Sequence, residues 1–200
     1  MFSIRKNILN LTLGQNVRSS LQKRSFWEYV NMMFNKPDAD RIKLLGPDRT
    51  CAEWVLRNGG KVVWANGNRL ADYNSLPSEK QSVPKLAEID GTGSSISHYG
   101  FPHLSGCTEL WKIILDNNKY IDDRALKGLN HGKDTLTHVQ VSECVNVTDM
   151  GVKELGSLNK LQTLVLFKLS GVNNLEDCKK HLQSKLPNCK LLGDGEKVGV

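Results

Sequence analysis

The stretch LTHVQVSECVNVTDMGVKEL, residues 136–155, has the same pattern of large apolar side chains as LWKIILDNNKYIDDRALKGL, residues 110–129. In both stretches apolar residues occupy the first, fourth and sixth places, while the ninth place holds Asn118 or Cys144. Few of the other letters are identical. Because the spacing is kept while the letters change, the two stretches predict two structurally equivalent units that follow each other in the chain.

Further copies of the pattern recur at a nearly constant period. The copies start, in chain order, at Leu86, Leu110, Leu136 and Leu161. This spacing falls within the period of leucine-rich repeats, whose ninth place is typically Asn or Cys. We therefore predict an α/β fold: a short leucine-rich-repeat solenoid of about four repeats, with parallel strands on its concave face and a small N-terminal helical domain as a cap.

Each repeat predicts a short strand followed by a helix. Alternate apolar residues of the strand point inward, and the residue at the ninth place turns into the stack. Asp123 and Asp149 follow where an N-cap acid accepts backbone N–H groups, so we expect them to start the two helices. We expect a last helix over 172–182 and a last strand from Leu186. One unit cannot bury its apolar face alone, so neighbouring units stack.

The segment before the repeats has a different composition, and we place the domain boundaries at 25–80 for the capping domain and 81–200 for the repeat domain. FWEYVNMMF has helical apolar spacing. PDRTCAEWVLRNGG predicts a helix with Pro in its first turn and Gly at its exit, and KVVW predicts a strand. Trp27 and Trp54 fit packing roles, although an exposed aromatic helix that carries Trp27 suits docking onto a partner.

The positive charge is concentrated at the N-terminus. Formal net charge is +6, and residues 1–24 contain five Lys or Arg and no Asp or Glu. The rest of the chain is nearly neutral, which does not favour nucleic acid as a partner. Basic, hydroxyl-rich and amphipathic character is typical of a mitochondrial presequence, so we predict one over 1–24; the alternative is a disordered basic tail. No apolar run is long enough to predict a membrane-spanning helix.

The sequence lacks the motifs of several catalytic classes, namely GxxxxGK[ST], GxSxG and HExxH. The five cysteines are irregularly spaced without CxxC, which predicts free thiols. The histidines show no metal-ligand spacing, but His138 lies in a repeat strand, where we expect it to face the concave surface and a partner. We therefore predict a binding protein without an organic cofactor, not an enzyme. The short solenoid and its expected end cap favour a monomer.

Six segments within residues 26–192 follow one another in a characteristic order: FNKPDADRIKLLGPDRTCAEWVLRNGGKV, DYNSLP, IDGTGSSI, YIDD, CVNVTDMGV and LPNCKL. In these segments the chain resembles the mitochondrial ATP synthase coupling factor B family, also called ATP synthase subunit s. Members can carry a Cys-x-Cys in the first full repeat. Asp116 and Asn118 stand there in this chain, so regulation by a dithiol should not be transferred to it.

The resemblance implies a non-catalytic coupling factor that is peripheral on the matrix side of the mitochondrial inner membrane. Its partners would be membrane-sector subunits of ATP synthase, and it would support proton-coupled ATP synthesis. The family is also described as binding Mg²⁺ through backbone carbonyls, and the matching positions here are Gly59 and Thr92. Such ligation suits a hard cation that keeps most of its waters; turn geometry is the alternative role for both residues.

Two other functions remain open at this point. Related distal-membrane-arm assembly proteins share the repeats, so the chain could be an assembly factor for the membrane arm of respiratory complex I. A leucine-rich-repeat substrate receptor of a ubiquitin ligase is a second alternative, which rests on the repeat type alone. Residues 26–80 do not clearly provide the F-box that such a receptor requires.

Overall fold

The computed structural model describes residues 26–193. The chain divides into two compact units, residues 1–34 and 35–200. In the first unit, residues 26–34 are helical, and this helix, α1, ends at residue 35. The predicted presequence, 1–24, lies outside the described residues. The predicted boundary between residues 80 and 81 stays a prediction.

The second unit is a mixed α/β structure with one seven-stranded sheet that does not close into a barrel. Its strands are β1 (Lys61–Trp64), β2 (Arg69–Leu70), β3 (Leu86–Asp90), β4 (Lys112–Asp116), β5 (His138–Ser142), β6 (Thr163–Phe167) and β7 (Lys190–Leu192). Its α-helices are α2 (Ala39–Leu45), α3 (Pro47–Arg57), α4 (Asp123–Gly128), α5 (Asp149–Glu154) and α6 (Leu175–Lys185). Mixed α/β class is thus confirmed, while the solenoid and the number of repeats stay predictions.

Strand order in the sheet is β2-β1-β3-β4-β5-β6-β7. From β3 to β7 the pairs are parallel, and β1 pairs antiparallel with both β2 and β3. The register places Ile113 beside Val139, and Val139 beside Leu164. All three are buried. The constant apolar places of the sequence therefore form continuous rows in the core, as the pattern predicts.

The ninth place turns inward as predicted. Asn118 is buried, and its amide nitrogen donates to Ser94 Oγ at 3.0 Å while its oxygen accepts from the Tyr120 N–H at 2.9 Å. Cys144 is buried at the equivalent place. Directly before these two residues the backbone has positive φ, 46° at Asn117 and 51° at Glu143. This left-handed residue turns the chain out of the strand.

The two predicted N-caps are wrong by one residue. Asp122 caps α4 by accepting from the Ala125 N–H, and Thr148 caps α5. The Asp123 carboxylate instead accepts from the N–H and the hydroxyl of Thr148, in the next strand-helix segment, at 2.8 and 2.7 Å. Asp149 likewise accepts from two N–H groups of the following segment. Both side chains therefore join neighbouring strand-helix segments.

The last predicted helix is displaced toward the C-terminus. It begins at Leu175 and ends at Lys185, because the Asn174 side chain caps it by accepting from the Asp177 N–H. The predictions for α3 and β1 are confirmed, with Pro47 in the first turn of α3 and Gly59 beyond its end. All five cysteines are free and buried.

Candidate functional site

Burial alternates along the parallel strands, so one face of the sheet packs in the core and the other carries mostly partly exposed side chains within residues 26–193. We call this second face the open face. Alternation decides which side chains lie there: Ile113 and Leu115 of β4 join the core, whereas the intervening residues do not. The register forms a row across the open face from Glu88, the third residue of β3, and the first residues of β4 to β7, which are Lys112, His138, Thr163 and Lys190. A second row is formed by Asp90, the last residue of β3, and the third residues of β4 to β7, which are Ile114, Gln140, Val165 and Leu192.

An aromatic cluster lies at the strand-start edge of the open face. The Trp111 ring meets His138 edge-on, with centroids 4.9 Å apart and planes at 89°. Lys112 Nζ lies 5.6 Å from the Trp111 ring centroid and 3.1 Å from Glu88 Oε2. The Trp111 carbonyl accepts from the backbone N–H groups of Thr137 and His138. We call these five residues the Trp111 cluster.

His138 offers the cluster a hydrogen-bonding ring rather than a charge. It is half-buried, and this burial, together with the nearby Lys112 ammonium, lowers its pKa below 6.5 despite the opposing effect of Glu88. Its Nδ1 lies 2.8 Å from the Thr137 hydroxyl, which fixes the ring. The ring is therefore mainly neutral at neutral pH, and the open face presents an oriented imidazole beside an exposed indole.

The strand-exit side of the open face is polar and internally bonded. Ser142 Oγ donates to the Asp116 carboxylate and accepts from Gln140 Nε2. Beside them Phe167 is 36% exposed, with Lys168 Nζ 5.1 Å from its ring centroid. Because the polar groups satisfy one another and the aromatic rings stay exposed, this arrangement suits binding better than catalysis.

The two predicted metal positions lie in adjacent loops. Gly59 has φ +81° and its N–H closes the end of α3 on the Leu56 carbonyl. The Thr92 N–H donates to Asp90 Oδ1 at 3.0 Å. The sheet brings the loops together, since Lys61 is paired with Asp90. The N–H groups of Gly59 and Thr92 are therefore used in hydrogen bonds within their turns. The predicted Mg²⁺ site would use their carbonyl oxygens instead.

A metal centre made of side chains is not found in the described part of the chain. Within residues 26–193, no group of three or more His, Cys, Asp or Glu side chains could hold a metal ion. The backbone carbonyls of Gly59 and Thr92 are a different donor set. They fit a hard, hydrated cation by chemistry.

Trp27 and Trp54 lie in opposite environments. Trp54 is buried, and its Nε1 donates to Asn35 Oδ1 at 2.9 Å, so it has the packing role. Trp27, in the first unit, is 64% exposed and contacts the Phe26 ring edge-on at 5.5 Å. Among its described residues, 26–34, the exposed large apolar side chains are Phe26, Trp27, Tyr29, Met33 and Phe34. Trp27 therefore remains a candidate for contact with a partner.

Sequence reasoning named His138 but missed Trp111 and Lys112. Trp111 precedes a strand at a place that the repeat pattern leaves unspecified, so no periodicity marks its direction. One signal was available: Trp111 directly precedes β4 at a place that the repeat does not reserve for the core, so a large aromatic side chain there could have been expected at the surface.

None of the helices in residues 26–193 combines the length and apolar character needed to cross a membrane.

The fold and the open face define a class: a mixed α/β protein whose largely parallel sheet packs one face in the core and carries mostly partly exposed side chains on the other. No family model matches the chain. It is 38% identical over 176 residues to "ATP synthase subunit s, mitochondrial" of Rattus norvegicus, covering 86% of this chain and 88% of that protein. Identity to the Homo sapiens protein of that name is 36% over the same coverage. The chain belongs to the mitochondrial ATP synthase subunit s family.

A more distant relative carries a different name. The chain is 22% identical over 185 residues to "Distal membrane arm assembly component 2" of Drosophila melanogaster. This match covers 90% of the chain and 64% of that protein.

Proposed function

We propose that this chain is a non-catalytic protein that binds the membrane sector of mitochondrial ATP synthase and supports the coupling of proton flow to ATP synthesis. The observation that carries the proposal is the identity of 36–38% to proteins named ATP synthase subunit s over 86% of the chain. Its place is peripheral, on the matrix side of the inner membrane. The leucine-rich-repeat solenoid supplies a rigid open face for this contact.

The Trp111 cluster is the proposed centre of the contact in the second unit. Indole rings that are exposed in the free protein and become buried in a complex are typical hot spots. Trp111 is 36% exposed and is held by the edge contact with His138 and by Lys112, so it loses little conformational entropy on binding. Trp27, in the first unit, is proposed as a second contact residue.

Affinity purification of the tagged chain from gently solubilised mitochondria tests the proposal. We expect membrane-sector subunits of ATP synthase to be recovered. Trp111→Ala should reduce their recovery strongly, because truncation of a hot-spot residue costs about 2 kcal/mol or more. Met150→Ala is the matched control, since Met150 is 75% exposed on a helix rather than on the open face. Recovery without any synthase subunit would overturn the proposal.

A role as an assembly factor for the membrane arm of respiratory complex I is the second candidate. The similarity to distal membrane arm assembly component 2 favours it. The same purification separates the two functions, because an assembly factor should recover complex I subunits and assembly proteins instead of synthase subunits. Depletion of the chain should then lower the amount of assembled complex I and leave synthase coupling unchanged.

We also propose that the Gly59 and Thr92 carbonyl oxygens bind Mg²⁺. The adjacency of their loops and the preference of Mg²⁺ for oxygen ligands support this site. Since side-chain substitution cannot remove a carbonyl, the test uses Mn²⁺ as a paramagnetic substitute and follows backbone amide NMR signals. Selective broadening around both residues, reversed by excess Mg²⁺, is the expected result. Equal broadening near Gly151 in α5 would show that the ion does not select the site.

A further inference from the structure

The chain contains two Asn-Gly pairs, Asn58-Gly59 and Asn66-Gly67, only eight residues apart. Asn-Gly is the dipeptide in which an asparagine side chain is most easily attacked by the following backbone nitrogen, because glycine has no Cβ to obstruct the approach. The structure places the two pairs in opposite environments. Asn66 and Gly67 are exposed, whereas Asn58 is buried.

We propose that Asn66 is a site of spontaneous deamidation and isoaspartate formation, while the fold protects Asn58 from the same reaction. The Gly67 backbone nitrogen loses its proton and attacks Asn66 Cγ. A new C–N bond forms, the bond from Cγ to Nδ2 breaks, and ammonia leaves, which gives a succinimide. Water then opens one of the two ring carbonyls and yields aspartate or isoaspartate. The reaction requires only water.

Asn66 lies in an exposed turn at the edge of the sheet, where we expect the local structure to open easily. It occupies the tip of the turn between β1 and β2, and β2 is a two-residue strand at the edge of the sheet. The Gly67 N–H donates to the Trp64 carbonyl at 2.8 Å, and Asn66 Oδ1 accepts from the Asn68 N–H at 3.1 Å. The bond from Asn68 to Asn66 is exposed, and both bonds lie at the end of a short edge hairpin, so opening the turn should cost little free energy.

Asn58 is held by contacts that involve both ends of its amide. Its Nδ2 donates to the Trp54 carbonyl at 2.8 Å, and its Oδ1 accepts from Asn35 Nδ2 at 3.1 Å and from Ser95 Oγ at 3.0 Å. The side chain therefore cannot rotate to present Cγ to the Gly59 nitrogen without breaking buried hydrogen bonds. Burial also disfavours the negative charge that develops during the attack.

The modification would change the hairpin that carries it. Isoaspartate adds one carbon to the main chain and places a carboxylate in the turn. The backbone bond from the Trp64 N–H to the Asn68 carbonyl, now 2.9 Å, closes the same turn. Lengthening the main chain of the turn by one atom should break this hydrogen bond. We therefore expect β2 to detach from β1, while the pairing of β1 with β3 remains.

Peptide mapping of the aged full-length chain tests the proposal. The folded protein is incubated at mildly alkaline pH, and isoaspartate is detected by mass spectrometry and by an isoaspartyl methyltransferase. Asn66 should react at least about tenfold faster than Asn58, since a difference of about 1.4 kcal/mol in opening free energy gives that ratio. Asn66→Gln should abolish the signal in the hairpin peptide.

The unfolded chain provides the internal control. In concentrated urea both Asn-Gly pairs should react at similar rates, because the sequence around the attacked bond is the same type in each. Equal rates at Asn58 and Asn66 in the folded protein would overturn the proposal. Absence of reaction at Asn66 in the folded protein, with reaction in urea, would overturn it as well, since the hairpin would then protect Asn66 as fully as the core protects Asn58.

Discussion

Among single residues, His103 shows how burial sets a charge state. Its ring stacks on Trp54 with centroids 5.3 Å apart and planes at 12°. Burial, with a smaller effect of the Arg57 charge, lowers its pKa from 6.5 to about 4. Within residues 26–193, its Nδ1 has no hydrogen-bond partner. The folded chain therefore holds this imidazole in its neutral form.

This charge state predicts a loss of stability in weak acid. The unfolded chain takes up the His103 proton near pH 6.5, but the folded chain does so only near pH 4, so the free energy of unfolding should fall as pH falls through this window. The loss should be about 2 kcal/mol at about pH 5 and at most about 3–4 kcal/mol at lower pH. Urea unfolding at about pH 7 and about pH 5 measures it. His103→Gln should flatten the pH dependence, while His131→Gln, at an exposed residue, should leave it unchanged.

A second residue-scale prediction concerns Gly151. A Cβ at this position would lie 2.2 Å from Asp123 Oδ1, so Gly151→Ala must displace the carboxylate that accepts from Thr148. We expect a loss of about 1–3 kcal/mol in the free energy of unfolding, the usual range for overpacking. Gly156→Ala is the control, because its Cβ would meet Lys185 Cβ and Cγ at 3.3 Å and His181 Nε2 at 3.7 Å, with no contact below 3 Å. Equal unfolding midpoints for the two variants would contradict this account.

Among the elements, α3 is positioned by one buried carboxylate. Glu53 is 1% exposed, and its oxygens lie 2.7 Å from Arg41 Nε of α2 and 3.1 Å from Arg49 Nε of its own helix. Burial by itself raises the pKa of Glu53, but the hydrogen bond and charge of Arg41, followed by those of Arg49, outweigh it and lower the pKa overall. The ion pairs thus attach α2 to α3.

Removing this carboxylate should destabilise the chain strongly. Glu53→Ala leaves the Arg49 guanidinium buried and without its carboxylate, and loss of one partner of a buried pair typically costs about 3–5 kcal/mol. Arg57→Ala serves as the comparison. Arg57 is 40% exposed at 3.4 Å from Glu53, so its loss should cost about 0–1 kcal/mol. Chemical denaturation of both variants measures their free energies of unfolding. Similar losses in the two variants would show that Glu53 does not hold α2 and α3 together.

The elements also show where sequence reasoning succeeds and where it ends. Rows of buried residues such as Ile113 and Val139 were predictable because alternation and period are written in the letters. The helix starts were misplaced because Asp122 and Asp123 are chemically identical candidates for one cap. Only the position of Thr148 in space, 25 residues further on, assigns Asp123 to the next unit. The direction of Trp111 is likewise set by its neighbour His138, not by its own segment.

At the scale of the whole molecule, carboxylate side chains join two strand-helix segments to the segments that follow them. Asp123 binds Thr148, and Asp149 accepts from the N–H groups of Asn173 and Asn174 at 2.9 and 2.8 Å. These two backbone bonds, that of Asn173 first, lower the pKa of Asp149 to about 2. The link is therefore ionised throughout the neutral range and is lost only as pH falls below the ordinary carboxyl pKa toward about 2.

Asp149→Ala should consequently loosen one end of the molecule rather than all of it. Stacked units contact mainly their neighbours, so a lost link should act locally. Native-state hydrogen exchange is expected to accelerate in α6 and β7, while protection in β1 and β3 is retained. Asp177→Ala is the matched control, since this carboxylate also joins α5 to α6, but through an exposed ion pair with Lys153, which contributes little. An increase in exchange spread evenly over all seven strands would instead mean that the sheet opens as one cooperative unit.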